Sequence, residues 1–424
     1  MSNALTDFFV LFARKNCTFA SRSYSRSEIK MNEFILYFAH LIVTLHPRMK
    51  EVVVKEVSSA REMKDFVRFP SVLYAQCEQY VPDLEMDIRN TFDPRKNAGL
   101  EFSSIQPFIA YRDGKVVGRV AGIVNRHANE RWNMRVVRFS MIDFIDDQEV
   151  SAALLDAVAQ WGAAQGMTHI QGPMGITDFD KEGMLVEDFH LKGSMSAIYN
   201  YDYYPRHMEA LGYAKEADWL QVRVDIPAEV PPRYARVAQY AREQIGLHVR
   251  KLTDSEIRHG YGHKIFTLLN ESYKSLFGYT TLTERQMDDF VDQYLSLVDK
   301  RLMPVIETQD GEMVGVAITL YSLSDALRKS GGRLWPLGWF HLLNALRWHH
   351  SDNAEMLLIA VRPDYQGLGV NAMFFDDLIP IYNECGIKWA ETGPQLEDNV
   401  RELTQWKPLH PTMVKRRRCY GREI

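Results

Sequence analysis

Apolar and polar residues follow the same order in two long blocks of the chain. Each block has an apolar run, an Asp-Gly pair and a second apolar run, at residues 107–121 and again at residues 303–317. An Asp-Gly pair between apolar runs is a strong signal for a β-hairpin. Each block then continues with a helical pattern, a glycine and a short strand, at residues 152–171 and 373–391. The shared order predicts a tandem repeat of one α+β domain.

The repeat divides the chain into four predicted segments. These are an N-terminal extension at 1–48, helical or outside the native fold, a first domain at 49–226, a linker and helix at 227–246, and a second domain at 247–424. Three prolines within residues 225–232 suit a stiff linker. We expect a helix over residues 60–68 that ends at Pro70, because the residue before a proline avoids the helical region. Residues 83–99 have the polar composition of a loop.

Residues 357–371 are the most informative stretch, because an apolar strand leads there into a turn and a helix. Pro363 ends the strand by removing a backbone donor. Gly367 and Gly369 permit close approach of a ligand at the helix start. Unpaired N–H groups and the positive end of the helix dipole favour an anion at this place. The glycine spacing differs from both the Walker loop and the dinucleotide fingerprint.

The string Gln366-Gly367-Leu368-Gly369 resembles the acyl-CoA loop of the GNAT acetyltransferase superfamily, which holds the cofactor pyrophosphate. Asn371 stands where that family prefers Gly or Ala. Residues 391–399 resemble the strand and Glu-x-Asn turn that follow the cofactor helix in the family. The resemblance implies two tandem GNAT-like domains, each a mixed, mostly antiparallel sheet flanked by helices. It also implies binding of acetyl-CoA or another acyl-CoA by Ile359, Ala360, Val361, Gln366, Gly367, Leu368, Gly369, Val370, Asn371, Ala372 and Asn399.

The first copy of the repeat lacks this loop and has Asp146 and Asp147 in its place. Asp147 is a good helix N-cap, so it competes for the N–H groups that a pyrophosphate needs. Carboxylates at this point also repel an anion. We therefore expect a degenerate first domain that packs against the second and shapes the acceptor cleft, with one CoA per chain at residues 361–372.

The catalytic residues are less clear from the sequence than the cofactor loop. Many family members have a Tyr seven residues after the Asn equivalent to Asn399, and here that position is Trp406, which cannot act as an acid. The catalytic acid is therefore unidentified. Glu355 or Glu391 is the candidate base for the amine acceptor, while a salt-bridged or solvated carboxylate is the alternative for each.

Residues 334–348 form an apolar, aromatic-rich insertion. It is either a hydrophobic wall over the acceptor or acyl pocket or an extra helix in the domain interface. His349 and His350 follow it, either as surface histidines or as groups that titrate near neutrality. The basic run at 415–418 is expected to lie on a solvated strand face, with an acidic acceptor or the 3′-phosphate of CoA as the alternative partner.

Composition narrows the possible partners. Lys and Arg number 50 against 55 Asp and Glu, so the net charge of −5 gives no reason to expect nucleic acid. The four cysteines are scattered without metal spacing, which indicates a reduced cytoplasmic protein without a metal site. The apolar run at residues 34–45 is too short to span a bilayer, which needs about 20 residues. The oligomeric state stays open.

The leading function is an N-acyltransferase, first of all an N-acetyltransferase, that moves an acyl group from acetyl-CoA or another acyl-CoA to a small-molecule or peptide amine. The missing Tyr leaves a non-catalytic acyl-CoA-binding protein as an alternative. A Fem-like aminoacyl or acyl transferase is a further alternative, although the net charge does not suggest a tRNA partner.

Overall fold

The computed structural model describes residues 51–348 and 350–424. Residues Val52–Ile424 form one compact unit. The predicted extension at 1–48, its apolar run at 34–45, and His349 lie outside the described residues. None of the described helices has the length and apolarity needed to cross a membrane.

The first half contains seven strands and five α-helices within the described residues. The strands are β1 (Val53–Glu56), β2 (Ser103–Arg112), β3 (Lys115–Asn125), β4 (Val136–Phe144), β5 (His169–Gly172), β6 (Met184–Leu185) and β7 (Ala214–Asp225). The helices are α1 (Ala60–Leu73), α2 (Glu85–Thr91), α3 (Arg126–Trp132), α4 (Gln148–Ala163) and α5 (Tyr203–Ala210).

The second half repeats this order with additional helices. Its strands are β8 (His248–Lys251), β9 (Pro304–Glu307), β10 (Met313–Tyr321), β11 (Asn353–Val361), β12 (Trp389–Thr392), β13 (Gln395–Leu396) and β14 (Thr412–Glu423). Its helices are α6 (Pro232–Tyr240), α7 (Asp254–Glu256), α8 (Gly262–Tyr273), α9 (Glu284–Gln293), α10 (Ser324–Ser330), α11 (Gly338–Arg347), α12 (Val370–Glu384) and α13 (Val400–Thr404).

One continuous sheet joins the two halves, in the order β1-β2-β3-β4-β5-β14-β7-β12-β11-β10-β9-β8. In both halves the neighbouring strands are antiparallel except for one parallel pair, β4 with β5 and β11 with β12. This matching pattern confirms the tandem α+β repeat. The last long strand of each half crosses to the other, because β7 pairs with β12 and β14 pairs with β5. The domain boundaries along the chain stay a prediction.

Both predicted hairpins are present. Asp113 and Gly114 have φ angles of 52° and 74° between β2 and β3. Two successive positive φ angles are the requirement of the tight hairpin turn that Asp-Gly favours. Gly311, between β9 and β10, has a φ of 80°. The central helices of the two halves correspond as well, since α4 and α12 both bury an apolar face against the sheet.

The prediction that Pro70 ends the first helix is wrong, because α1 continues to Leu73. A proline inside a helix leaves the carbonyl four residues earlier without its usual donor. Here that carbonyl belongs to Phe66, and Nη1 of Arg119 donates to it at 3.1 Å. The predicted loop at residues 83–99 is also wrong in part, because it contains α2.

The prediction of a solvated face for residues 415–418 is wrong. These residues lie in β14, which pairs with β7 in the centre of the sheet. Lys415 and Arg417 are 2% and 1% exposed, and Nζ of Lys415 lies 2.6 Å from Glu391 Oε1. Arg416 and Arg418 both pair with the buried carboxylate of Asp218. The run therefore neutralises buried acidic groups at the junction of the halves.

Candidate functional site

The candidate site lies where β11 separates from β12. The two strands pair from Asn353–Trp389 to Met356–Thr392, after which β12 ends and β11 continues to Val361. In the described part of the chain, no strand pairs with the β12 side of residues 357–361. Hydroxyl groups from α8 bind this edge instead: Tyr273 donates to the Ile359 carbonyl at 3.0 Å and Ser272 donates to the Val361 carbonyl at 3.1 Å.

The glycine turn follows directly after this strand. Gly367 and Gly369 have φ angles of 83° and 94°, the left-handed region that favours glycine. Gly369 is the N-cap of α12, and a Cβ added there would lie 2.9 Å from Cγ1 of Val237 in α6. Gly367 has open space around it, and it is exposed together with Leu368.

The surroundings of the turn fit an anion such as pyrophosphate. The first N–H groups of α12, from Val370 to Ala372, have no acceptor within the helix. The guanidinium of Arg401 reaches the turn, with Nη1 3.4 Å from Gln366 Oε1. The nearest acidic side chain in the sequence, Asp364, is neutralised by Arg362 at 2.8 Å, and this hydrogen bond lowers the pKa of Asp364.

Two asparagines of the predicted site connect α12 to the following segment. Asn371 donates to Gln405 Oε1 at 2.7 Å. Asn399 is the N-cap of α13, and its Oδ1 accepts from the Glu402 N–H at 3.4 Å. Gln366 donates to the Val361 carbonyl at 3.2 Å, which holds the turn against the end of β11. The structure thus brings the predicted cofactor-binding residues together at one end of β11.

A cavity of about 730 Å³ lies beside the edge of β11 at residues 357–361, where β12 no longer pairs with it. Residues from both halves line it, and most of its surface is apolar. A volume of this size is typical of sites for organic ligands. Its apolar lining includes Leu276, Phe277, Ile318, Leu342, Leu346 and Leu358.

The cavity also has an excess of carboxyl groups. Seven acidic residues line it, against Arg119 and Lys181 as the basic ones. Both cations are engaged, Arg119 with Asp143 at 2.8 Å and Lys181 with Asp83 at 2.5 Å. The remaining carboxyl groups belong to Asp87, Asp178, Asp180, Glu182 and Glu402.

Asp178 and Glu182 are the carboxyl groups of the cavity that lack complete hydrogen bonding. Asp178 Oδ1 and Glu182 Oε1 are buried without a hydrogen-bond partner among the described residues. Burial raises the pKa of Asp178 to about 7 and raises the pKa of Glu182 well above its usual value. Asp180 differs, because it accepts from the backbone N–H groups of Ile176 and Thr177. Unsatisfied buried acceptors are costly and fit a positively charged ligand.

Glu402 lines the cavity on the side of the cofactor turn. Burial raises its pKa to about 7, and Gln395 Nε2 donates to its carboxylate at 3.2 Å. Burial is the main cause that raises the pKa of Tyr273, and the negative charge of Glu402 is the second cause. Sequence reasoning missed this residue. Glu402 lies three residues after the N-cap Asn399, which is the spacing of a capping box. Its place in the sequence therefore has an ordinary structural explanation.

The predicted bases Glu355 and Glu391 lie outside the cavity lining, in a buried polar cluster. Glu355 accepts from the backbone N–H groups of Met195 at 3.0 Å and Ser196 at 3.2 Å, so it connects the two halves. Glu391 is paired with Lys415, and burial is the main cause that raises its pKa. Their catalytic role stays a prediction, and the cavity geometry favours Glu402 over both.

Trp406 is enclosed by other side chains of the second half. It is 2% exposed, its Nε1 donates to Gln395 Oε1 at 3.1 Å, and its ring packs edge-on against Phe375.

His350 stacks on Tyr321 with ring centroids 4.0 Å apart. The insertion forms α11 between β10 and β11. Its Leu342 and Leu346 line the cavity, and Leu342 also packs with Val81 of the first half, so both a wall over a substrate pocket and a helix between the domains stay predictions.

The equivalent place in the first half is closed by its own side chains. Asp147 caps α4 by accepting from the Glu149 N–H at 3.0 Å, and its carboxylate pairs with Arg112. Asp146 lies 2.9 Å from His207 Nε2. The Tyr203 hydroxyl donates to the Phe144 carbonyl at the end of β4. These contacts are those expected of a degenerate copy.

No protein-family model matches the chain. Among curated proteins, it is 27% identical to Protein YghO of Escherichia coli (strain K12) over 381 residues, which cover 88% of this chain and 95% of the relative. It is also 27% identical to a bacterial ceramide synthase of Caulobacter vibrioides (strain NA1000 / CB15N) over 314 residues, or 73% and 80% of the two chains.

Solved structures identify the fold. A tandem GNAT protein from the clavulanic acid biosynthesis pathway superposes with a TM-score of 0.51 at 11% identity, covering 88% of this chain and 98% of the other. A GCN5-related N-acetyltransferase from Sphaerobacter thermophilus gives 0.50 at 12% identity, covering 88% and 95%. The chain therefore has the tandem GNAT fold that the resemblance of its glycine loop implied.

Proposed function

We propose that the chain is a GNAT-type N-acyltransferase that joins a long-chain acyl group from acyl-CoA to the amine of an apolar, long-chain acceptor. The observation that carries the proposal is the large apolar cavity beside β11, with partly unsatisfied carboxyl groups on its wall. Acetyl-CoA and a small polar amine would leave most of such a surface uncovered. The Caulobacter relative supports the assignment, since a ceramide is the N-acyl product of a long-chain amine.

The residues of the glycine turn fit the cofactor. The N–H groups of Val370, Asn371 and Ala372 and the guanidinium of Arg401 would hold the pyrophosphate, as helix N-termini do for phosphate groups. The strand edge at Ile359, Ala360 and Val361, which has no strand partner on this side among the described residues, would line the acyl-bearing arm, with Asn399 nearby. When bound, acyl-CoA supplies an activated thioester to the cavity.

The carboxyl groups on the cavity wall would act on the acceptor. An amine enters as an ammonium ion, and its positive charge would favour the ionised forms of Asp178 and Glu182, whose pKa values burial raises, so that both carboxylates would hold it. Burial raises the pKa of Glu402 to about 7, so this carboxyl group can gain or lose a proton near neutral pH. It would accept a proton from the ammonium group and so free the nitrogen lone pair for attack on the thioester. The C–N bond then forms as the C–S bond breaks, and the leaving CoA thiolate takes up the second proton that the nitrogen loses. Efficient general bases have a pKa close to the working pH.

The experiment is a thiol-release assay with purified protein, one long-chain amine, and acyl-CoA donors of increasing chain length. We expect release that requires the amine and increases from acetyl-CoA to palmitoyl-CoA. Binding of acyl-CoA without release of thiol would favour the non-catalytic alternative, which the buried Trp406 at the usual Tyr position makes worth testing. Faster release with acetyl-CoA would contradict the long-chain assignment.

A further inference from the structure

A group of large apolar side chains is exposed around α11. We call Trp335, Leu337, Trp339, Phe340, Leu343 and Trp348 the aromatic segment. Their exposed fractions are 80%, 66%, 45%, 50%, 36% and 64%, in that order. Single exposed apolar residues are ordinary, whereas a continuous group of this kind marks an interaction surface.

The side of the helix next to the exposed residues belongs to the cavity, because Leu342 and Leu346 lie three and seven residues after Trp339. Leu342 is buried and Leu346 is half-buried, and both line the cavity wall. Leu323, the N-cap of α10, and Leu327 within α10 line the same wall. The same helix therefore borders both the apolar cavity and the apolar outer surface. An occupant of the outer surface would lie next to any ligand in the cavity.

Basic residues border the aromatic segment. Lys329 and Arg333 precede it and Arg347 lies within its last turn, and all three are exposed. Arg333 pairs at 3.0 Å with the half-buried Glu85, which neutralises part of its charge. Tryptophans together with cations are the composition of helices that lie in the headgroup layer of a membrane. The chain as a whole has a net charge of −5, so attraction to an anionic surface has to come from this local group.

We propose that the aromatic segment docks the protein on the surface of an anionic lipid bilayer, with Trp335, Trp339 and Phe340 inserted at the headgroup level. A bilayer fits better than a second protein copy, because the apolar group is bordered by cations and adjoins the lipid-sized cavity. Docking would let an apolar substrate pass from the bilayer to the cavity without crossing water. This last consequence rests on the proposed function, whereas the docking does not.

The test is flotation of the full-length chain with vesicles of phosphatidylcholine alone or mixed with phosphatidylglycerol. We expect binding to the anionic vesicles, and a loss of at least about tenfold in bound fraction for W335S/W339S/F340S. A matched control, V72S/M134S, replaces exposed apolar residues elsewhere and should bind like the wild type. Brominated lipids should quench tryptophan fluorescence in the wild type and much less in the triple variant.

Equal binding by the triple variant and the wild type would overturn the proposal. A wild-type chain that ignores vesicles but forms a dimer, which the triple variant dissociates, would instead identify the surface as an interface between copies. Flotation needs no substrate, so its failure is distinguishable from a failure of the proposed acyltransferase activity.

Discussion

Replacing Glu402 by Gln should lower activity and at the same time stabilise the folded protein at high pH. Burial raises the pKa of Glu402 from 4.5 to about 7, so the folded state disfavours the charged form. The contribution of Glu402 to the free energy of unfolding is therefore fully present below pH 4.5, the unfolded-state pKa. It is lost as the pH increases through about 7, the folded-state pKa. Gln has the same shape and no charge, so this decrease disappears in E402Q.

The magnitude follows from the two pKa values. One pKa unit corresponds to about 1.4 kcal/mol, so a difference from 4.5 to about 7 corresponds to about 3 kcal/mol at most. Glu402 is partly exposed, and solvent screening reduces the gain to between ~1 and ~3 kcal/mol. A residue with a purely structural role would show the opposite sign, because its removal would destabilise the fold.

The assay is urea unfolding of wild type and E402Q at about pH 5 and about pH 8.5, together with the pH dependence of kcat/KM. Glu397 provides a matched control, since the hydrogen bond from Lys215 lowers its pKa and E397Q should therefore lose stability at the higher pH. Equal or lower stability of E402Q at the higher pH, or an unchanged pH–rate profile, would refute the reasoning.

Three further predictions concern the turn, the cavity and the buried pair. G367D should abolish acyl-CoA binding in calorimetry, whereas G166D, at a glycine with similar φ and equally open space, should bind normally. Binding that survives G367D would contradict the assignment of the turn. L358W narrows the cavity and should shift the preferred donor toward shorter chains; an unchanged preference would place the acyl chain elsewhere. K415M leaves Glu391 buried without its partner and should cost about 3–5 kcal/mol in unfolding experiments; a cost below ~1 kcal/mol would contradict the burial of that pair.

Local patterns allowed the elements that recur in both halves to be predicted. Both hairpins were predictable because Asp-Gly determines the turn within a few residues. The exchange of β7 and β14 between the halves was not, because it depends on pairing between residues some 200 positions apart in the chain. That pairing also explains the buried charges of β14, which in sequence have the composition of a solvated strand.

The part of the candidate site that has a local sequence signal was predictable, and the part that lacks one was not. Gly367 and Gly369 are separated by one residue in sequence, and the structure gives both the positive φ that glycine permits. The carboxyl groups that we propose as catalytic come from distant segments, so no spacing indicates them. Asp178 precedes Tyr273 by a long stretch of chain, yet the charges of Asp178 and Glu402 both reach that tyrosine.

Transfer of a long acyl chain to a long-chain amine can be measured in a competition, in which the wild-type chain receives one long-chain amine and equal amounts of acetyl-CoA, octanoyl-CoA and palmitoyl-CoA. Mass spectrometry then quantifies the three amide products. We predict that the palmitoyl amide dominates and that E402Q forms little of it. Acetyl amide as the main product, or no amide at all, would contradict the account.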